Sequence, residues 1–284
     1  MSNLVVRDVP TYLRRVFQMS KNNTGTTCYR GQSDIGWELK PSVMRNLKPN
    51  AENKIISELL LEAPEEFGRD KSMFDKLVRA QHYGLPTRLV DVSLNPLVAL
   101  YFACKDEDCM EKDGVVQLFD FNEDRVKYAD SDAVSLICNL TQLSDDEREQ
   151  LRKSYKKYKD ETITLEGFRK RNEISRLIHF VGAEKPYFLN VIKPVDLFRY
   201  FLVHPKKNNR RVIAQSGVFI AAGLLNYSGV EKSLGFDIKK IIIKKDKKSD
   251  ILSELDKINI NSRTMFPEIE EVSKYIKKNW EAAK

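Results

Sequence analysis

The strongest constraint in this chain is a polar string of 16 residues, Gln81-His82-Tyr83-Gly84-Leu85-Pro86-Thr87-Arg88-Leu89-Val90-Asp91-Val92-Ser93-Leu94-Asn95-Pro96. It sits between two apolar segments. Met73 to His82 carries Phe74, Leu77 and Val78 at helical spacing. Pro96 to Cys104 is strongly apolar and reads as a buried helix with Pro96 in its first turn. The first helix cannot run into the second, because Pro86 disfavours the helical basin at Leu85. Polar groups at the mouth of a buried helix must be hydrogen-bonded or serve a ligand. Ser93 or Asn95 suits the cap of the second helix. Arg88 and Asp91 would pair with each other, or Arg88 with a buried carboxylate. Those roles leave Gln81, His82, Tyr83 and Thr87 without a structural task.

The remaining pattern mixes helices and strands. Helical spacing marks Val9–Met19, Glu52–Phe67, Asp130–Lys159, Ser249–Ile258 and Pro267–Trp280. β-prone segments are Thr26–Tyr29, an extended stretch around Trp37, Leu39 and Pro41, then Val115–Phe121, Tyr187–Ile192, Arg211–Ala214, Val218–Ala222 and Phe236–Ile243. No regular βαβ rhythm appears, so α+β is expected rather than a doubly wound sheet. Neither GxGxxG nor GxxxxGK[ST] occurs, which removes both familiar nucleotide fingerprints. One domain over residues 1–284 is the simplest division, with a basic helical insertion at 140–185.

Composition narrows the class further. With 42% hydrophobic and 10% aromatic residues, 284 residues can build a true core. No apolar run approaches the ~20 residues of a membrane span, and Met1–Pro10 lacks the apolar stretch of a secretory signal. The four cysteines, Cys28, Cys104, Cys109 and Cys138, have no CxxC spacing, and there are only three histidines. Disulfides and a metal centre are therefore not expected, and a cytoplasmic protein with no membrane partner is. The net charge of +7 is uneven: 18 basic against 21 acidic residues up to Gln142, then 30 against 20. The excess lies in three runs, Arg148–Lys159, Lys206–Arg211 and Lys239–Lys248. Such runs hold phosphates by releasing counterions, or they are solvated surface.

Two further clusters stand out. Tyr29-Arg30-Gly31-Gln32-Ser33 places an arginine in a β-prone segment beside a glycine. The planar guanidinium can hold two anionic oxygens, and Gly31 would let a ligand approach the backbone. A strand-edge arginine paired with a carboxylate is the alternative. Asn209-Arg210-Arg211 precedes Gln215-Ser216-Gly217-Val218-Phe219, which would present the Gln215 amide at a sheet edge.

These stretches together resemble the FRG domain. Tyr29-Arg30-Gly31-Gln32-Ser33 with Trp37, Leu39, Pro41 and Ser42 is similar to its opening motif. Gln81 to Leu89 with Asp91, Asn95-Pro96 and Ala99-Leu100-Tyr101-Phe102-Ala103 is similar to its central signature. Arg211 with Gln215 to Phe219, and Phe266-Pro267 with Ile269, complete it. Val92-Ser93 departs from the family's aromatic–Thr pair, keeping the hydroxyl and losing the ring.

Tyr29-Arg30-Gly31 on an early strand, followed by Ser93 before a helix with Asn95, Ala99, Phe102 and Ala103, is also similar to ADP-ribosyltransferases of the arginine–serine–glutamate type. That resemblance implies a split mixed sheet with surrounding helices, and NAD as substrate without a metal. It implies Arg30 as NAD anchor and Ser93 as a brace on the nicotinamide ribose. The third position falls at Gln215, which is not an acid, so His82 or Asp91 would supply the base. Tyr29, Gly31, Gln32, Gln81, Tyr83, Thr87, Arg88 and Asn95 would complete the NAD site. Lys206, Lys207, Arg210 and Arg211 would hold a nucleic-acid acceptor, with a protein acceptor as the rival. The same resemblance implies a bacterial toxin or antiphage effector with an antitoxin or chaperone partner. A non-catalytic nucleotide-binding or nucleic-acid-binding module and an NAD glycohydrolase remain open.

Overall fold

The computed structural model describes residues 6–21, 23–225 and 237–281. Among these, seven strands form one mixed sheet: β1 (Thr26–Gln32), β2 (Leu89–Ser93), β3 (Gly114–Phe121), β4 (Val126–Tyr128), β5 (Tyr200–His204), β6 (Gly217–Ala222) and β7 (Asp237–Ile243). Their spatial order is β4-β5-β6-β2-β1-β3-β7. Only β4 and β5 run parallel; every other neighbouring pair is antiparallel. The expected α+β class with a mixed sheet and surrounding helices is what the chain forms.

The helices are α1 (Val9–Ser20), α2 (Ala51–Glu62), α3 (Pro64–Phe67), α4 (Met73–His82), α5 (Pro96–Cys104), α6 (Asp132–Asn139), α7 (Asp145–Lys159), α8 (Leu165–Arg169), α9 (Asn172–Glu184), α10 (Arg210–Ala214), α11 (Lys248–Lys257), α12 (Ser262–Met265) and α13 (Ile269–Trp280). Their starts follow capping chemistry. Asp8 and Thr11 form a reciprocal box on α1, as do Ser144 and Glu147 on α7. The Ser72 hydroxyl caps α4, and the Asn95 side chain accepts from Leu97 N at the start of α5.

The two halves of the sheet carry different cores. Helices α1, α5 and α11 cover β1, β3 and β7 through Tyr12, Val98, Leu100, Val116, Leu118, Ile241 and Ile251. Helices α4 and α6 cover β2, β5 and β6 through Phe74, Leu77, Leu89, Val134, Phe201 and Phe219. Residues of the opposite face, among them Cys28, Val90, Phe119, Leu202 and Ile220, form a third cluster. Where the halves meet, β1 and β2 share the single pair Tyr29↔Ser93, against seven pairs between β1 and β3. The sheet is therefore barely joined at this line.

Gly31 is required by packing, and it also borders the cavity beside Arg30. A Cβ at this position would lie 1.8 Å from the Ala99 carbonyl oxygen. The glycine lets α5 lie directly on β1. Gly31→Ala is expected to destabilise the fold by about 1–3 kcal/mol or more, because backbone rather than a flexible side chain must give way. A fall in the thermal midpoint measures it, and an unchanged midpoint would contradict this packing.

Several expectations are corrected. The stretch around Trp37 forms no strand, since Val43 N donates to the Thr87 carbonyl and Asp34 accepts from Gly36 N, making a tethered loop. Asp130–Lys159 is not one helix; it breaks between α6 and α7, where Ser144 starts a new capped helix. Tyr187–Ile192 is no strand; it joins no strand of the sheet, and Phe188 and Ile192 pack instead with Leu151, Phe168 and Leu177. Arg211–Ala214 is helical, with the Asn209 side chain accepting from Arg211 N and Val212 N. Leu89–Ser93, inside the polar string, and Tyr200–His204 are strands that periodicity did not reveal. Phe236 and Met1–Val5 lie outside the described residues.

The 140–185 region contributes α7, α8 and α9, which close their own apolar cluster around Leu151, Phe168, Ile174 and Leu177. All four cysteines are buried and free. No helix among the described residues is long and apolar enough to cross a membrane.

Candidate functional site

A two-lobed cleft opens where β1 and β2 part. The first lobe, about 200 Å³, is lined by Tyr29, Arg30, Trp37, Asp91, Ser93, Phe102, Lys105, Asp106 and Gln215 among others. The second, about 150 Å³, is lined by Gln81, His82, Asp91, Phe102, Asn209, Arg211 and Gln215 among others. Asp91, Val92, Phe102 and Gln215 border both lobes.

Arg30 projects from β1 toward the end of β2. Its Nη1 donates to the Asp91 carbonyl at 2.5 Å and lies 3.3 Å from Asp91 Oδ2. The Nε group is buried without a partner. The other terminal amine makes no hydrogen bond among the described residues, so it remains for an anion in the first lobe. The alternative reading of Arg30 as a carboxylate-paired arginine is thus also true, but the pair faces a cavity.

Asp91 holds the centre of the cleft. Its Oδ1 accepts from Gln81 Nε2 at 2.5 Å, and its side chain is 65% exposed, open to the lobes. Desolvation by neighbouring backbone pushes the carboxyl pKa up. The Arg30 charge, the hydrogen bonds and the more distant Arg211 outweigh it and hold the group below 3.8. The folded pKa is depressed, so the stabilisation from this pair is complete above about 3.8. It is lost as pH falls through the lower folded value. A carboxyl carbon titration by NMR should find Asp91 ionised at pH 5, with its midpoint moving up in Arg30→Gln. No movement would mean that Arg30 does not set the charge.

Ser93 and Gln215 are braced before any ligand arrives. Ser93 Oγ donates to the Gln215 carbonyl at 2.7 Å and accepts from Asn95 N at 2.9 Å. A hydroxyl has one donor and two lone pairs. One lone pair remains, so Ser93 can only accept from a ligand. Gln215 Nε2 donates to the Met265 carbonyl at 2.9 Å, leaving its second N–H and Oε1. His82 Nε2 lies 3.4 Å from Glu268 Oε1. Desolvation, with Arg211 nearby, holds the imidazole pKa below 6.5, favouring the neutral form at pH 7.

The other sequence-assigned residues divide. Tyr29 and Gln81 line the cleft. Arg88 does not: it is fully buried and bound to Glu52, Thr141 and the Ala222 carbonyl. Thr87 is buried and tethers Ser42, whose hydroxyl accepts from Thr87 N. Asn95 is spent on capping α5. Gln32 is 3% exposed and lines neither lobe. Tyr83 points outward, donating to Glu66, with its ring edge-on to His82. Lys206 lies 3.5 Å from Asp75, and Lys207 and Arg210 are exposed. Arg211 leaves that surface group and enters the second lobe.

Sequence reasoning missed Trp37, Phe102, Lys105, Asp106 and Asn209 as cleft residues. Phe102 belongs to a helix so apolar that no face stood out, and Lys105 and Asp106 directly follow its end.

The run Lys239–Lys248 and the first residue of the run Arg148–Lys159 are satisfied internally, while Lys153, Lys156, Lys157 and Lys159 are exposed. Arg148 is buried against Glu52, and Lys248 is fully buried, donating to the Ser33 and Cys109 carbonyls. Lys244 pairs with Asp113 and Lys245 with Glu111.

Fold and cleft together define an α+β protein with an arginine-bearing pocket where its mixed sheet is barely joined. Residues 25–112 match the family model of the FRG domain. The match runs from the start of β1 to the residue pair before β3, and so includes Arg30, the polar string and α5. No curated protein and no solved structure matches the chain.

Proposed function

We propose that the cleft binds NAD and transfers its ADP-ribosyl group to an acceptor. The observation that supports this reading is that Arg30, Ser93 and Gln215, from three distant stretches of chain, line one cavity. Arg30 offers its free terminal amine to the diphosphate. Ser93 accepts from a hydroxyl of the nicotinamide ribose. Tyr29 and Trp37 supply aromatic walls. Asp91 supplies the negative charge that Gln215 lacks, facing the ribose as it becomes cationic. The bond from nicotinamide to the ribose anomeric carbon breaks, and nicotinamide leaves with the electron pair. An acceptor oxygen closes on that carbon, and its proton passes to Asp91 or neutral His82. Positioning contributes much of the rate in such a reaction. The acceptor is a nucleic acid or a protein. In a cell the activity is that of a toxin or antiphage effector, restrained by an antitoxin or chaperone.

A second reading has its own support. Gln215 carries no charge and its amide is tied to Met265, which suits a non-catalytic nucleotide-binding module. Incubation with labelled NAD and RNA, DNA or lysate separates the readings. Label on a macromolecule, lost in Arg30→Ala, supports transfer. Free ADP-ribose alone identifies a glycohydrolase. Unchanged NAD that binds tightly identifies a binding module. No binding and no consumption, with Arg30→Ala indistinguishable from the parent, would refute all three.

A further inference from the structure

Arg211 is the cation that the proposed chemistry leaves unused. It is half-buried in the second lobe and makes no ion pair or hydrogen bond through its guanidinium among the described residues. Its guanidinium lies over the Phe266 ring at 4.4 Å from the centroid. Stacking covers one flat face and leaves the in-plane N–H groups for two oxygens of one anion. Lys105 approaches the same ring at 5.0 Å and also makes no ion pair among the described residues. Desolvation lowers the Lys105 pKa and Arg211 adds to this, against the opposing pull of the Asp106 and Glu271 carboxylates.

The lobe also has neutral donors. Asn209 spends its oxygen on α10 and keeps its amide N–H groups. Asp91 and Gln215 are shared with the Arg30 lobe, so a group seated by Arg211 reaches the place where the ribose bond would break. The chain leading out of the lobe is Lys206 to Arg210, with Lys206, Lys207 and Arg210 on the surface. Lys207 and Arg210 suit successive phosphates along a strand, without reading sequence, beside Lys206, which faces Asp75. The lobe itself is about 150 Å³ and is walled by Val78, Phe102 and Phe219. An internal phosphodiester would need two exits from it, whereas an end needs one.

We propose that the second lobe is the acceptor subsite and seats a terminal phosphate of a nucleic-acid strand on Arg211. This rests on the transferase reading of the cleft, but its binding test does not. Short single strands carrying a 5′-phosphate, a 3′-phosphate or hydroxyls at both ends are titrated against the full chain by fluorescence anisotropy. One phosphorylated end should bind about tenfold tighter than the hydroxyl strand, the worth of one bidentate charged contact. Arg211→Gln should erase that preference, and Arg211→Lys should restore only part of it, while circular dichroism confirms the fold. Equal binding of all strands, or a preference that survives Arg211→Gln, overturns the proposal. Inorganic phosphate or a phosphoserine peptide displacing the strand at equal concentration overturns its nucleic-acid part. If the parent consumes no NAD but the preference and its Arg211 dependence hold, the transferase reading fails and the phosphate subsite stands.

Discussion

Arg88→Met should lower the stability of the fold by about 3–5 kcal/mol, as breaking a buried ion pair from one side does. Arg88 is the largest fully buried side chain in the protein as described. Its Nε donates to Glu52 Oε1 at 2.7 Å and to Thr141 Oγ1 at 3.1 Å. Its Nη1 donates to the Ala222 carbonyl at 2.9 Å. One guanidinium thus joins β2, the start of α2 and the end of β6. Removing it leaves the Glu52 carboxylate, 10% exposed, with Arg148 as its remaining cation, 3.1 Å away. Adding Glu52→Gln should recover part of the loss, because the stranded charge goes. The midpoint of urea unfolding at pH 7 measures both. A shift worth less than ~1 kcal/mol would show that this pair is not the lock described. The cleft is lined by other residues, so a protein that stays folded should keep its ligand.

Asp91→Asn should lower turnover by about 10²–10³-fold while changing KM only several-fold. The amide is isosteric, but its single oxygen can accept from Gln81 or face Arg30, not both. The negative charge and one acceptor disappear, and in the proposed transfer that charge matters most when the ribose is cationic. A fall confined to KM would assign Asp91 to ground-state binding. Unaltered turnover would remove it from the chemistry and leave His82 as the base. If the chain is a binding module there is no turnover to lose, and NAD affinity in the variant then reports only on the pocket.

The sequence carried much of the fold on local rules. Helices α4 and α5 were legible to the residue because Ser72, Asn95 and Pro96 are chemical start signals and Gly84, with φ of 81°, is a stop. Strand β3 was legible from its composition, valines, leucine and phenylalanines with only Gln117 and Asp120 among them. Strand β2 was not, since Leu89, Val90 and Val92 are interrupted by Asp91 and Ser93, whose polarity belongs to the cleft. Strand Tyr200–His204 and the non-strand Tyr187–Ile192 look alike in composition. They differ in their partners, since Tyr200–His204 pairs with β4 and β6 while Phe188 and Ile192 pack among helices, which is a property of the assembled fold.

The candidate site divides the same way. Arg30, Asp91, Ser93 and Gln215 could be picked out because polar residues in apolar surroundings need a reason. Thr87, Arg88 and Asn95 satisfied the same criterion for structural reasons: a tether, a buried ion pair and a helix cap. Gly31 was also a necessary glycine, but the backbone it admits is that of α5.

By itself the sequence determined the α+β class, the main helices and the stretch of chain in which polar groups had to find partners. Those are consequences of side-chain periodicity, capping and desolvation, all local to a few residues. The tertiary structure alone decided which polar groups face a cavity, because burial and pairing depend on residues far away in the chain. It put Glu52 under Arg88, Asp91 beside Arg30, and Met265 against Gln215. It also turned Arg211 from one member of a basic run into a cation of the cleft that has no ion pair among the described residues, stacked on Phe266.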